Sequence, residues 1–223
     1  MLKSLLMSAT LLLSATTLAC NRAAASVVAI PDPAVDETLR STPAQQTIVL
    51  AGGCFWGVDA VFKHVKGVTD VRSGFAGGKG AVSYEEVSTG NTGYAESVQI
   101  TYDPSKITYG KLLKVFFAVA HDPTEVNQQG PDTGPQYRSA IFYSNEEQKR
   151  IARAYIDQLN KAKVFRAPLA TELSALDSFH EAEAYHQNYL ANHRDDPYIV
   201  YNDLPKLEHL RKEFPELYRE SEK

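Results

Sequence analysis

The chain has 223 residues, 43% of them hydrophobic and 22% charged, with a formal net charge of −4. That length suits one ordinary domain with a leader, and a core of this size can be buried without disulfide or metal staples. Near-average glycine and proline exclude a collagen-like or low-complexity chain, the mild acidity leaves no basic footprint for nucleic acid, and the two cysteines, Cys20 and Cys54, exclude a disulfide scaffold or a cysteine-rich zinc site.

Residues 1–19 read as a secretory signal. Lys3 supplies the positive start, residues 5–18 an apolar stretch too short and too rich in Ser and Thr for a membrane span, and small residues precede Cys20. Two processing routes stay open. A bacterial lipoprotein would be cut before Cys20 and acylated on its thiol, although Thr17 fits poorly where an aliphatic residue is usual. Cleavage after Ala23-Ala24-Ala25 would remove Cys20 altogether. The lipoprotein route is slightly preferred. Both predict an exported protein, periplasmic or lipid-anchored to the cell envelope, with Cys54 its free thiol and no methionine left, since Met1 and Met7 depart with the leader.

Residues 20–46, rich in Ala, Pro, Ser and Thr and without a hydrophobic period, read as a flexible tether, and 47–223 as a single domain. Residues 48–51 form a predicted buried strand broken by Gly52-Gly53. Val58, Val61, Phe62 and Val65 give 55–65 a helical spacing. A strand over 68–75 is closed by Gly77-Gly78, and an alternating strand over 96–102 ends at Asp103-Pro104. An apolar helix is predicted over 109–120, a polar loop over 121–136 and a strand over 139–143. Asn145 caps a helix running to about Lys161. A last strand over 170–173 and helices over 181–191 and 207–218 complete the pattern. Strands alternating with helices, with two β-α-β passages at 48–75 and 96–143, argue for an α/β or α+β sandwich; the fold expected is α+β, a mixed β-sheet with β-α-β units flanked by helices around a ferredoxin-like core.

Cys54 sits where a predicted strand ends and a helix begins. Two glycines allow a tight turn there, and the first N–H groups of a helix lack partners. An anion at that end gains roughly 0.3–1 kcal/mol. The junction therefore predicts a lowered thiol pKa and a nucleophilic sulfur, against the common alternative of a buried, inert cysteine. Phe55 and Trp56, directly after it, suit a small apolar group such as a methyl.

Gly53-Cys54-Phe55-Trp56-Gly57 resembles the signature of the A-type peptide methionine sulfoxide reductases. Three further blocks follow in order and extend the resemblance over about 48–205. They are Ser83-Tyr84-Glu85-Glu86-Val87-Ser88-Thr89-Gly90 with Thr92-Gly93-Tyr94-Ala95-Glu96; His121-Asp122-Pro123-Thr124 with Gln129-Gly130, Asp132 and Gln136-Tyr137-Arg138-Ser139; and Ala182-Glu183-Ala184-Tyr185-His186-Gln187-Asn188-Tyr189-Leu190. The resemblance implies reduction of the S-epimer of methionine sulfoxide, free or in proteins, for the repair of oxidised proteins. It implies Cys54 as the attacking group and Glu96 as the acid that protonates the sulfoxide oxygen, with a pKa raised by burial. Tyr84 and Tyr137 would hydrogen-bond that oxygen, Asp132 would hold polar groups of the substrate, and Phe55 and Trp56 would wall the methyl pocket. Read without the resemblance, Glu96 is a solvated strand-edge charge, the two tyrosines are half-buried packing, and Asp132 is a turn residue in Pro131-Asp132-Thr133-Gly134. His186 and Tyr189, three apart on the predicted helix, share a face and serve the core as readily as a site.

No bound cofactor or metal is expected, only an external thiol reductant, either a thioredoxin-like protein or a small thiol. The expected partners are oxidised proteins or free methionine sulfoxide and that reductant, with no nucleic acid, a membrane contact only through lipid on Cys20, and a monomeric state. Three departures from the family pattern stand near the site: Tyr94 for a usual His, Pro135 for a small polar residue, and Ser88 where some members carry Cys. A larger one concerns turnover. Many members recycle with further cysteines near the C-terminus, whereas here Pro197-Tyr198-Ile199 stands in that region and no cysteine follows Cys54. That predicts a one-cysteine cycle. Two other readings remain: a non-catalytic exported ligand-binding lipoprotein, and a Cys-His hydrolase using His64, His121 or His186.

Overall fold

Short strands with buried alternation and helices with one apolar stripe assemble into a sheet covered mainly on one face. The computed structural model describes residues 30–80 and 82–220; the predicted leader, Cys20 and both predicted cleavage sites lie outside them. In chain order the elements are β1 (Gln46–Gly52), α1 (Phe55–Lys63), β2 (Val68–Ala76), α2 (Tyr84–Ser88), β3 (Ala95–Tyr102) and α3 (Tyr109–Val115), which runs on into a π-helical turn, Phe116–Ala120. A small hairpin of β4 (Gln128–Gln129) and β5 (Asp132–Thr133) leads through a 3-10 turn, Pro135–Tyr137, to β6 (Ser139–Tyr143) and α4 (Glu146–Lys161). Then come β7 (Glu172–Ala175), β8 (Phe179–Glu181), a second 3-10 turn (Ala184–His186), α5 (Tyr189–Asn192), a π-helical turn (Ile199–Asp203) and α6 (Leu204–Glu213).

The main sheet has the order β7-β6-β1-β3-β2-β8. β3 lies antiparallel between β1 and β2, and β1 lies antiparallel between β3 and β6. The two β-α-β passages therefore interleave, which is the ferredoxin-like arrangement expected from the sequence. Ile48 and Leu50 of β1, Val98 and Ile100 of β3, Val71 and Ile141 point to one face and join the apolar residues of α1, α3, α4 and α6 in the main core. The opposite face holds a small cluster of Val49, Ala51, Ala76, Ala95, Ala140 and Phe142 under Leu176 and Phe179. Caps start the helices where expected. Asn145 accepts from the Gln148 N–H at 2.9 Å, and Thr108 caps α3.

The tether reading fails from Ile30 onward. Ile30 is buried in the core, Tyr155 donates its hydroxyl proton to the Pro31 carbonyl at 2.8 Å, and Asp32 pairs with Lys111 and Lys114. Asp36 accepts from the Gly110 N–H and the Thr108 hydroxyl, and Glu37 accepts from the Tyr109 N–H and the Tyr102 hydroxyl. Carboxylates suit the start of α3, where N–H groups lack helical partners. The segment is a strap held by charge, so a search for hydrophobic period misses it.

The predicted helix over 181–191 is also absent. β8, a 3-10 turn and the four-residue α5 replace it, with Asn188 in the left-handed region at φ 55°. Gln187 explains the break. Its side chain accepts from the Ser73 N–H and donates to the Ser73 and Ala182 carbonyls, satisfying the edge of β2 beside the end of β8. Elsewhere the differences are small. The strand expected over 170–173 begins at Glu172, the helix expected over 207–218 spans Leu204–Glu213 ahead of Pro215, and the loop over 121–136 contains the β4–β5 hairpin.

Candidate active site

The site grows from the end of β1. Gly53 turns the chain at φ 85°, and a Cβ there would lie 2.4 Å from the Gln129 side chain, so glycine alone fits. Cys54 follows as the N-cap of α1. The next N–H, that of Phe55, donates to Glu96 Oε2 at 3.0 Å. Sheet register explains that contact. Leu50 faces Val98 across β1 and β3, so Glu96, two residues before Val98, comes level with the Gly52 end of β1. Glu96 is buried, and burial pushes its pKa up to about 8. The Phe55 N–H opposes that rise, and the nearby Asp132 and Asp203 add to it. The carboxyl therefore carries its proton at neutral pH, unlike a solvated edge charge.

Cys54 differs from expectation. Burial pushes the thiol well above its ordinary value, and Glu96, once it has ionised at higher pH, and Asp203 push the same way; the Trp56 N–H and Lys206 pull back less strongly. A helix end stabilises an anion by roughly 0.3–1 kcal/mol. Removing a sulfur anion from water costs more, since full burial moves a pKa by up to about 3–5. The resting group is thus a thiol beside a protonated carboxyl.

Aromatic rings wall the site. Phe55 is buried against Phe75 at 5.8 Å between ring centroids and lies near-parallel to Tyr84 at 6.4 Å. Trp56 stacks on Tyr189 at 3.6 Å, meets Tyr198 edge-on at 6.0 Å, and donates its indole N–H to His186 Nδ1 at 3.1 Å. Burial and Glu96 push the Tyr84 hydroxyl up to about 12 and raise that of Tyr137 too, so both remain hydrogen-bond donors. Asp132 is half-buried in β5. Burial raises its pKa, and the Tyr198 hydroxyl donates to its Oδ2.

All seven residues singled out in the sequence, Cys54, Phe55, Trp56, Tyr84, Glu96, Asp132 and Tyr137, thus meet in one neighbourhood drawn from five segments: the capped start of α1, α2, β3, β5 and the Pro135–Tyr137 turn. His186 and Tyr189 join them through Trp56, but from a turn and a short helix, not from one helical face. Three residues were missed: Tyr198, Asp203 and Lys206. Tyr198 had a signal, since it stands in the region where a recycling cysteine is usual. Asp203 had none, because only packing reveals that it is buried beneath α1.

The histidines do not form a Cys-His pair with Cys54. His121 is buried, hydrogen-bonded to the Phe116 carbonyl and Ser139 Oγ, and pushed down to about 3 by burial. His64 bonds the Ala60 carbonyl at the far end of α1, and His186 Nδ1 is taken by Trp56. Among the other departures, Tyr94 is buried edge-on to His180, and Pro135 opens the turn that carries Tyr137.

The chain is similar to known proteins over most of its length. A family model described as peptide methionine sulfoxide reductase matches residues 46–218. A curated peptide methionine sulfoxide reductase MsrA 2 of Mesorhizobium japonicum is 57% identical over 182 residues, covering 81% of this chain and 93% of the relative. An MsrA of Thermus thermophilus is 49% identical over 176 residues, covering 78% and 98%. Among solved structures, methionine sulfoxide reductase A of Corynebacterium diphtheriae aligns with a TM-score of 0.59 and 37% identity over 75% of this chain and 84% of that one. Reduced Mxr1 of Saccharomyces cerevisiae aligns with a TM-score of 0.60 and 33% identity over 70% and 93%.

Proposed function

The chain belongs to the peptide methionine sulfoxide reductase family and is a peptide-methionine (S)-S-oxide reductase, and from that premise we propose that it works by a one-cysteine cycle on Cys54 with Glu96 as the acid. The sulfoxide methyl lies against Phe55 and Trp56, its oxygen accepts from Tyr84 and Tyr137, and Asp132 holds polar groups of the substrate. Cys54 Sγ attacks the sulfoxide sulfur while Glu96 gives its proton to the oxygen. The oxygen passes to Cys54 as a sulfenic acid and the thioether departs. The sulfoxide gains two electrons, Cys54 loses two, and the thiol proton returns Glu96 to its starting form.

Regeneration takes two external thiols. The first attacks the sulfenic sulfur and releases water, leaving a mixed disulfide; the second attacks that disulfide and restores the Cys54 thiol. The absence of any cysteine after Cys54 supports this order. A thioredoxin-like protein or a small thiol serves, and the substrates are free methionine sulfoxide and oxidised proteins. The signal pattern over residues 1–19 supports export of this repair to the cell envelope, and its removal would leave a chain without methionine and so without a substrate of its own.

The observation that carries the reading is the buried Glu96 carboxyl, protonated at neutral pH and hydrogen-bonded to the N–H next after Cys54. The test is methionine release from single-epimer sulfoxide with dithiothreitol, using the chain and its Cys54→Ser variant. Release from the S-epimer, abolished in the variant, is expected. Without reductant, mass spectra should find one added oxygen on Cys54. An intramolecular disulfide there would refute the one-cysteine cycle, and ligand binding without release would favour a non-catalytic exported binding protein.

A further inference from the structure

Beneath the first turn of α1 lies a charged pair that the proposed cycle does not use. Asp203 ends the π-helical turn before α6 and is fully buried. Its Oδ1 accepts from Lys206 Nζ at 3.0 Å, and its Oδ2 has no partner among the described residues. The pair is seated on Gly57, where a Cβ would lie 2.1 Å from Asp203 Oδ1 and 2.7 Å from Lys206 Nζ. Gly57 is the third residue of the helix that Cys54 caps. A buried carboxylate oxygen without a partner costs stability, so its retention beside the reactive sulfur calls for a role.

The other groups acting on Cys54 are Glu96 from β3, Tyr84 from α2, Tyr137, Tyr189 and Tyr198. Asp132 acts on Glu96. At neutral pH Glu96 and these tyrosines hold their protons, so they put no full charge on the sulfur. Asp203 and Lys206 differ from them in forming an ion pair: burial raises the Asp203 carboxyl, the Lys206 ammonium beside it opposes that rise, and of the two the acid favours the thiol and the ammonium the anion. Held 3.0 Å apart, they bear on Cys54 as one unit.

We propose that the Asp203–Lys206 pair is a positioning pair that controls the proton on Cys54, Asp203 holding the sulfur as a thiol between turnovers and Lys206 limiting that restraint. Hydrogen peroxide and alkylating agents attack the thiolate. A sulfur kept as the thiol is therefore spared by them until sulfoxide binds and a proton can move through Glu96. The idea rests on Cys54 being the attacking group, but its test needs no sulfoxide, so failure of the pair and failure of the reductase reading are separate results.

The test follows alkylation of Cys54 by iodoacetamide against pH in the full chain. Iodoacetamide is uncharged, so its rate follows the thiolate fraction. Asp203→Asn should alkylate about tenfold faster at pH 7, as its profile moves about one pH unit lower. Lys206→Met should move the profile the other way, the double variant should return toward wild type, and Lys206→Arg should keep the wild-type profile. Peroxide should oxidise Asp203→Asn faster than wild type, as read by mass. Loss of packing would loosen both single variants alike and speed both. Shifts in the same direction, or no shift in Asp203→Asn, would overturn the proposal. If Lys206→Met does not fold, Asp203→Asn and Lys206→Arg decide it alone.

Discussion

Replacing Glu96 by Gln should make the protein more stable and much less active. The amide keeps an oxygen that can accept from the Phe55 N–H, so the 3.0 Å contact survives. What disappears is the titration. The wild-type carboxyl ionises at about 8 when folded, against 4.5 in its ordinary state. Unfolded chains release that proton at pH 7 and folded chains keep it, which costs about 1.4 kcal/mol for each pH unit above the ordinary value. The cost is about 3 kcal/mol at pH 7 and levels off near 5 kcal/mol above pH 8. Because the folded value is raised, the wild type matches the variant below pH 4.5 and falls behind as pH rises toward 8. Urea unfolding of both proteins between pH 4.5 and 8.5 should show that widening gap. Methionine release should fall by about 10²–10⁴-fold, the usual worth of a positioned acid. A gap that does not widen with pH would refute the burial argument, and full activity would refute the assignment of Glu96 as the acid.

Two further substitutions test the packing around the site. Asp36→Ala removes the acceptor of the Gly110 N–H and the Thr108 hydroxyl, so urea unfolding should show a loss of about 1–2 kcal/mol, with methionine release per folded molecule unchanged. Gly57→Ala drives a methyl to 2.1 Å from Asp203 Oδ1 and should cost about 1–3 kcal/mol in a thermal melt. In an Asp203→Ala background most of that loss should vanish, because contacting residues couple in a double-mutant cycle.

Local signals carried a large part of the fold. The β1–α1 junction, the Asn145 cap and the two β-α-β passages were legible because strand alternation, helix period and capping act over a few residues. The strap over 30–45 was not, since Asp32, Asp36 and Glu37 find their partners 65 to 82 residues away. The last motif block misled for a related reason: its apolar spacing suits a helix, yet Gln187 spends its amide on the edge of β2. The site residues were named through the order of four motif blocks; spacing alone left Glu96 a surface charge and Asp132 a turn.

By itself the sequence determined which groups are at hand: a thiol at a strand-helix junction, aromatic residues beside it, an acid on a following strand, and no cysteine between Cys54 and Lys223. Only the tertiary structure decided the proton inventory. It buried Glu96 until its carboxyl keeps a proton, raised the Cys54 thiol against the pull of its helix, and slid Asp203 and Lys206 under Gly57. Proton affinity depends on how much water a group loses and which charges face it, and both depend on segments far apart along the chain.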